Sequence, residues 1–270
     1  MGRFEGLTDR QWNLLERSLP IKYARGKGFP PAKPRFVLNS IFWILITGAR
    51  WCDLPKGPQW ASKSAAHRWL GTWQESGAIE KVLQQLLELA DLAKMLNFER
   101  LAADGFFYAG KGGGEGVSYG YKGKGVASHL LVDKAGSPLQ VTATGADGDE
   151  RLQVVPLIKK IRGLIKPVIN QGKTPIFEAD KGYDSQNLRL QILSYKIFPM
   201  ISYRKIGTKV KNGIIYLDKN RWVVERAIAW LQRKFRRIAT RWERKWKYWL
   251  GFLGMSLIKF WADKILRLLG

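Results

Sequence analysis

The sequence predicts an α/β domain, a mixed β-sheet flanked by helices, carried behind an all-helical N-terminal domain. Three observations predict it. Apolar side chains recur at helical spacing through the first hundred residues. From Leu101 the pattern changes to short β-rich runs that alternate with amphipathic segments, the order of a sheet covered by helices. The chain has 270 residues, 46% of them hydrophobic and 12 of them Trp, which is enough apolar surface for a real core and excludes a disordered basic tail. The boundary is expected at residue 98, giving a helical, helix-turn-helix-like DNA-binding domain over 1–98 and an α/β domain over 99–270.

Thr8-Asp9-Arg10-Gln11 reads as a capping box, followed by Trp12, Leu15 and Leu19 on one helical face until Pro20. Residues 21–34 are a Gly/Pro/basic connector without periodicity. Phe36–Ala49 is apolar on most faces and reads as a buried helix, and Trp51–Pro55 turns the chain. Ser62 is placed to cap a short helix through Leu70, and a longer helix follows near Glu80–Leu96. LAADGFFYA then reads as a strand, AGKGGGEGVSYGYKGKG as a Gly-rich basic loop, and SHLLVDKAGSPLQVTATGA as a hairpin turning at Asp133–Pro138. Arg151–Ile165 is amphipathic, TPIFEAD is a strand, Ser185–Tyr195 is helical with Asp184 as its expected cap, and IFPMISYR is a further strand. One long basic helix is expected from Asn220 to about Lys247, and an apolar one over Tyr248–Leu269.

The charge balance narrows the function classes. There are 46 Lys+Arg against 22 Asp+Glu, a net charge of +24, and a folded chain so basic calls for a polyanionic partner, nucleic acid first. The segment Arg204–Lys247 alone holds 15 Lys+Arg and 3 acids, an excess that favours phosphate contact over a merely solvated face. A single cysteine, Cys52, excludes a disulfide framework and a Cys-rich zinc site. With only His67 and His129 besides, any metal must be held mainly by carboxylates. The apolar stretches Phe36–Ala49 and Tyr248–Ile258 fall short of the roughly 20 residues of a membrane span, and MGRFEGLTDRQW has no signal-peptide-like apolar segment. A cytoplasmic, nucleoid-associated protein is therefore expected.

Three acids stand out by placement. Asp104 lies on the first strand of the α/β region, Asp180 at the carboxyl end of PIFEAD, and Glu225 near the start of the basic helix between Arg221 and Arg226. Ligands of open α/β sheets gather at the carboxyl ends of strands. A trio of hard oxygen donors suits two-metal phosphoryl transfer, in which the ions lie about 3.5–4 Å apart. Each acid also has a plain structural reading: a satisfied strand acid, a turn residue, and an ion-pair partner of Arg221 or Arg226.

The pieces LTDRQWNLLERSLP, FVLNSIFWILITGARWCDLP, LAADG, ADKGYDS and RWVVERAIAWLQRKFRRIATRWER, in this order, resemble a bacterial insertion-sequence transposase of the insertion sequence 5 group. The resemblance runs along essentially the whole chain. It implies a DDE transposase with a ribonuclease-H-like catalytic domain, whose carboxylates fall on Asp104, Asp180 and Glu225. It implies two Mg²⁺ or Mn²⁺ ions on those residues, and double-stranded DNA, as transposon ends and as target, for a partner. It also implies a homodimer or larger assembly on DNA. In the Tyr-x2-Arg-x3-Glu-x6-Lys pattern of such enzymes Arg221 and Glu225 fit, while the Tyr and Lys positions hold Asp218 and Gln232, and TGADGDE departs from an Ala-Asn-x-x-Asp pattern. Arg221, one turn before Glu225, is expected to reach a phosphate or to pair with that acid. Lys111, Lys122 and Lys124 of the Gly-rich loop, Lys181 beside Asp180, and Arg233, Arg236, Arg237 and Arg241 of the basic run complete the expected DNA-binding set. The alternative is a domesticated relative that holds DNA without cutting it.

Overall fold

The computed structural model describes residues 4–19, 32–204 and 222–268, which fall into two compact units. One unit combines the described residues up to Leu89 with Gly110–Glu115 and those from Gln232 onward. The other holds Ala90–Ala109 and the described residues of Gly116–Leu231.

The first unit is helical. Helix α1 (Asp9–Glu16) starts in the expected capping box: the Gln11 N–H donates to Thr8 Oγ1 at 3.2 Å and the Thr8 N–H to Gln11 Oε1 at 3.0 Å. Helix α2 (Pro34–Thr47) has proline at its first position, where no N–H is needed, and ends at Gly48 in the left-handed region. Helix α3 (Lys63–Glu75) is capped by Ser62, whose Oγ accepts the Ala65 N–H at 3.2 Å, and runs five residues past the expected end. Helix α4 (Ala78–Leu92) follows. The helices close on the last element, α9 (Trp246–Leu268), which packs on α1, α2 and α3. The core holds Leu15, Ile41, Phe42, Leu70, Trp249, Phe252 and Trp261, each at most 1% exposed. At roughly 1.5–3 kcal/mol per large apolar side chain, burial on this scale dominates the unit's stability.

The compact units do not follow chain order: α9 is apolar around nearly its whole circumference and buries with the N-terminal helices. One expectation is corrected here. The single helix expected from Asn220 to Lys247 is broken: α8 (Trp222–Lys234) stops, a short 3-10 turn covers Arg236–Ile238, and α9 begins only at Trp246. Phe235, Ile238 and Arg241 all turn inward, at 0%, 1% and 1% exposure. Among the described residues, no helix is long and apolar enough to cross a membrane.

The second unit is built on a six-stranded sheet of β1 (Arg100–Ala109), β2 (Ser118–Gly120), β3 (Gly123–Asp133), β4 (Pro138–Gly145), β5 (Ile176–Ala179) and β6 (Phe198–Ile201). Strand β3 runs antiparallel to β1, from Leu101↔Asp133 to Ala109↔Gly125. Its other edge is shared by β2 at its beginning and β4 over the rest. On the far side of β1, β5 and then β6 continue the sheet in parallel. The β3–β4 turn is organised by Asp133, fully buried. Its Oδ1 accepts the Ala135 and Ser137 N–H groups at 3.0 and 2.7 Å, and its Oδ2 the Asn97 N–H at 3.1 Å. The amphipathic segment after β4 forms two helices, α5 (Arg151–Lys160) and α6 (Arg162–Asn170), separated at Ile161. Helix α7 (Gln186–Ser194) is capped by Ser185 rather than Asp184.

Candidate active site

The sheet brings two of the three expected acids together. In the parallel β1–β5 pair Leu101 lies opposite Phe177 and Ala102 opposite Glu178. Asp104 lies two residues beyond Ala102 on β1 and Asp180 two beyond Glu178, directly after β5, and the charges of both act on the Tyr183 phenol. Both acids are partly buried. Asp104 Oδ1 accepts the Gly105 N–H at 2.8 Å. Asp180 directly follows β5 and caps the 3-10 turn Lys181–Tyr183 by accepting the Gly182 N–H. A Cβ on Gly182 would lie 2.5 Å from Asp180 Oδ1, so this close approach requires glycine. In the same strand pair Arg100 and Glu178 form an ion pair, with Glu178 only 4% exposed.

The ADKGYDS turn is held from behind. Arg204 donates through Nε to the Lys181 carbonyl at 2.8 Å and through Nη2 to the Gly182 carbonyl at 3.0 Å, while its backbone N–H meets Asp184 Oδ2 at 2.9 Å. Arg189, 6% exposed, bridges Asp184 Oδ1 at 3.0 Å and the Ile201 carbonyl at 2.7 Å. Asp184 thus fixes the turn instead of capping α7. This bracing holds the Asp180 carboxylate in place by hydrogen bonds that any ligand would find already made.

Two residues that sequence reasoning missed sit here as well. Tyr183 is 1% exposed, and burial, followed by the charges of Glu150, Asp104 and Asp180, pushes its phenol well above the ordinary tyrosine range. Glu150 reaches back over the strand that carries Asp104: a Cβ on Gly105 would lie 3.0 Å from Glu150 Oε2 and 3.3 Å from His129 Nδ1. His129, cross-strand from Gly105, is buried, pairs through Nε2 with Thr144 Oγ1 at 3.0 Å, and is pushed down to about 4 by burial.

Glu225 is in the same unit, on α8 (Trp222–Lys234). It is exposed in the first turn of α8. The neighbouring Val223 and Arg226 pack beside Gly136 of the β3–β4 turn, and the Arg226 guanidinium donates to the Ala135 carbonyl at 2.8 Å and covers the Trp222 ring. Among the described residues, no group of three His, Cys, Asp or Glu is arranged to hold a metal ion. Arg221 lies outside the described residues.

The expected DNA-binding cations divide. Lys111, Lys122, Lys124, Lys181, Arg233 and Arg236 are exposed. Arg237 and Arg241 are 8% and 1% exposed, and their place among phosphate contacts is corrected. Arg237 pairs with the buried Glu243 at 2.6 Å and donates to the Ala49 carbonyl at 3.0 Å. Arg241 donates to the Glu243 carbonyl at 3.0 Å and to that of Glu115. Both guanidiniums satisfy buried acceptors, and baring them would strand those acceptors.

Residues 98–258, more than half of the chain, match the family model described as "Transposase DDE domain", and residues 7–83 match "Putative transposase of IS4/5 family (DUF4096)". The chain belongs to the DDE transposase family. It is 38% identical over 120 residues to the "Putative transposase for insertion sequence element IS402" of Burkholderia cepacia, covering 43% of this chain and 53% of that one. It is also 31% identical over 112 residues to the "Insertion element IS402 uncharacterized 16.2 kDa protein" of the same organism, covering 40% of this chain and 76% of the relative. The chain thus spans about half the length of the first relative. Among solved structures, the piggyBac transposase synaptic complex with hairpin DNA superposes with a TM-score of 0.43 at 10% identity, over 63% of this chain and 47% of that one. As a member of the family the chain carries a ribonuclease-H-like α/β unit, in which β4, β3 and β1 are antiparallel and β5 and β6 continue in parallel, together with an N-terminal helical region.

Proposed function

We propose that the chain is a DNA transposase that binds the terminal inverted repeats of an insertion sequence and carries out metal-dependent cleavage and strand transfer. The observation that supports this reading is that Asp104, in the middle of β1, and Asp180, directly after the parallel β5, both bring their charge to bear on the buried Tyr183, in a chain of the DDE family. The pair fits a hard divalent cation: both donors are carboxylate oxygens, partly open to water, and neither sulfur nor clustered imidazole competes. Asp104 and Asp180 would hold Mg²⁺ or Mn²⁺, two ions per site, with Glu225 of α8 as the third acid of the set. When bound, the cations supply positive charge where the phosphoryl oxygens gain negative charge.

The chain's own residues supply placement. The braced turn fixes Asp180, and Lys181 and Arg204 at its rim can each meet a phosphate oxygen. In cleavage the oxygen of water bonds to phosphorus, the P–O3′ bond breaks, and the departing 3′-oxygen takes up a proton. In strand transfer that 3′-hydroxyl attacks a target phosphodiester in the same way, exchanging one P–O bond for another. No covalent link to the protein is needed. Joining two ends to one target calls for a homodimer or larger assembly on DNA.

A cleavage and joining assay with labelled DNA carrying the element's own ends tests this. Asp104→Asn and Asp180→Asn should each lower Mg²⁺- or Mn²⁺-dependent cleavage by roughly 10²–10³-fold or more, the scale of losing one group that serves developing charge, while leaving DNA affinity within about threefold, since one substitution alters few of the phosphate contacts that set it. Running Glu225→Gln beside Glu150→Gln identifies which acid completes the set. Wild-type protein that binds the ends tightly and cuts with neither metal would instead mark a DNA-holding relative.

A further inference from the structure

We propose that the tip of the β2–β3 hairpin is a DNA-binding element that stacks tyrosine on an unpaired base, with Tyr121 and Tyr119 as the platform and Lys122 and Lys124 as its phosphate contacts. The inference rests on the proposed action on DNA.

The tip is unusual for what it leaves in water. Tyr121 is fully exposed and Tyr119 is 73% exposed, although a tyrosine is among the side chains with most to gain from burial. Isolated exposed rings are common on proteins. Here two of them share one tight turn with two lysines, both exposed, and Lys124 Nζ stands 5.6 Å over the Tyr119 ring. Aromatic faces interleaved with cations are the chemistry of single-stranded nucleic acid recognition, because every base has a π-face and every linkage a negative charge.

The base of the hairpin is rigid while its tip is bare. Gly120 pairs with Gly123 across a two-residue turn formed by Tyr121 and Lys122, and Gly123 takes φ 104°, a value suited to glycine. A Cβ on Gly120 would lie 2.1 Å from the Ala146 carbonyl oxygen, so β2 is pressed against backbone. Ser118 Oγ donates to Asp147 Oδ1 at 2.5 Å and accepts the Asp147 N–H at 3.3 Å. The rings are therefore presented from a fixed support, which lowers the ordering cost of binding.

Position relates the tip to the acid pair. Leu130 of β3 lies opposite Asp104, and Lys122 is eight residues back along the hairpin, past the end at which β1 finishes. At roughly 3.3 Å per residue the tip stands about 26 Å beyond Asp104 along the strand direction, about seven or eight base pairs of duplex at roughly 3.4 Å each. A duplex running along the sheet from the acid pair would thus meet the tip within its first turn. A paired base gives both faces to its neighbours, so a tyrosine can stack only where a base is unpaired or displaced.

Fluorescence anisotropy of the full chain with three probes tests the proposal: a 20-nucleotide single strand, a 30-base-pair duplex with one unpaired base, and the same duplex fully paired. Tyr119→Ala/Tyr121→Ala should weaken binding to the first two about 10- to 100-fold, as expected for the loss of base stacking, and to the paired duplex less than about threefold. Tyr121→Trp should retain affinity, because the ring and not the hydroxyl does the stacking. A 2-aminopurine at the unpaired position should change fluorescence with wild type and not with the double alanine variant. Equal losses on all three probes, or none, would overturn the stacking role, as would tighter binding of an RNA strand of the same sequence. If wild type bound no DNA at all, the proposed function would fail along with it. A failure confined to the hairpin shows instead as tight wild-type binding that the tyrosine variants share.

Discussion

His129 sits where a charged ring would have no water around it, 1% exposed, with Nε2 on Thr144 Oγ1 and Gly105 across the strand pair. Burial lowers its pKa from 6.5 to about 4, so between those values the unfolded chain binds a proton that the folded chain refuses. The sign follows: His129's contribution to stability is complete above about pH 6.5, shrinks as the pH falls below that value, and is gone below about 4. It amounts to at most about 3 kcal/mol. Thermal unfolding at pH 7 and pH 4.5 should therefore show a smaller acid loss in His129→Gln than in wild type, and identical losses would remove His129 from the account. The same neighbourhood shows which parts of the site could be read from sequence. Asp180 stands out in the sequence because the Lys181–Tyr183 turn follows it directly after β5, and Asp104 because it interrupts the apolar run of β1. Glu150 does not, since its approach to Gly105 depends on how the β4–α5 loop returns over β1. Tyr183 was in view within ADKGYDS, but only burial at 1% exposure reveals its surroundings.

At the scale of elements, local chemistry and tertiary packing divide the legible from the hidden. Helices with their own caps at Thr8 and Ser62 begin where the sequence places them. The Gly-rich loop shows no such local signal, because the partner of its first part lies more than a hundred residues away. Its segment Gly110–Glu115 seals the start of α9: the Glu115 N–H donates to the Arg244 carbonyl at 2.8 Å, and Glu115 Oε2 accepts the Trp246 N–H at 2.8 Å. Gly114, at φ 110°, lies so close to Arg244 that a Cβ would stand 2.3 Å from its carbonyl oxygen. Glu115 thus provides from a distance what an N-cap residue provides locally, and places a negative charge at the positive end of the helix dipole. Glu115→Ala should cost about 1 kcal/mol, read as a lower urea midpoint at unchanged slope, and Glu115→Gln about half of that. An unchanged midpoint would show that the first N–H groups of α9 find another acceptor. The break between α8 and α9 was hidden for a related reason. Arg237 and Arg241 count as surface charge in a sequence, and only the buried Glu243 and the Glu115 carbonyl show why they point inward.

Over the whole molecule, a net charge of +24 is a statement about association more than about fold. Two of the expected cations, Arg237 and Arg241, are spent on internal acceptors. Others remain open to solvent: Lys122, Lys124 and Lys181 in the sheet unit, and Lys111, Arg233 and Arg236 in the helical unit. If these six meet phosphates, the binding constant for DNA should follow salt with a logarithmic slope near −5, a fall of about a thousandfold between 50 and 200 mM. Each Lys→Ala or Arg→Ala change among them should reduce the slope by about one and weaken binding alike on every DNA sequence, because phosphate contacts carry no base information. Arg241→Met should leave the slope as it is and lower stability instead. Titrations at four salt concentrations, run on wild type, Lys181→Ala and Arg241→Met, separate the two kinds of arginine and lysine. A slope that Arg241→Met reduced as much as Lys181→Ala would place Arg241 back at the DNA surface, and would mean that the segment between α8 and α9 opens when DNA binds.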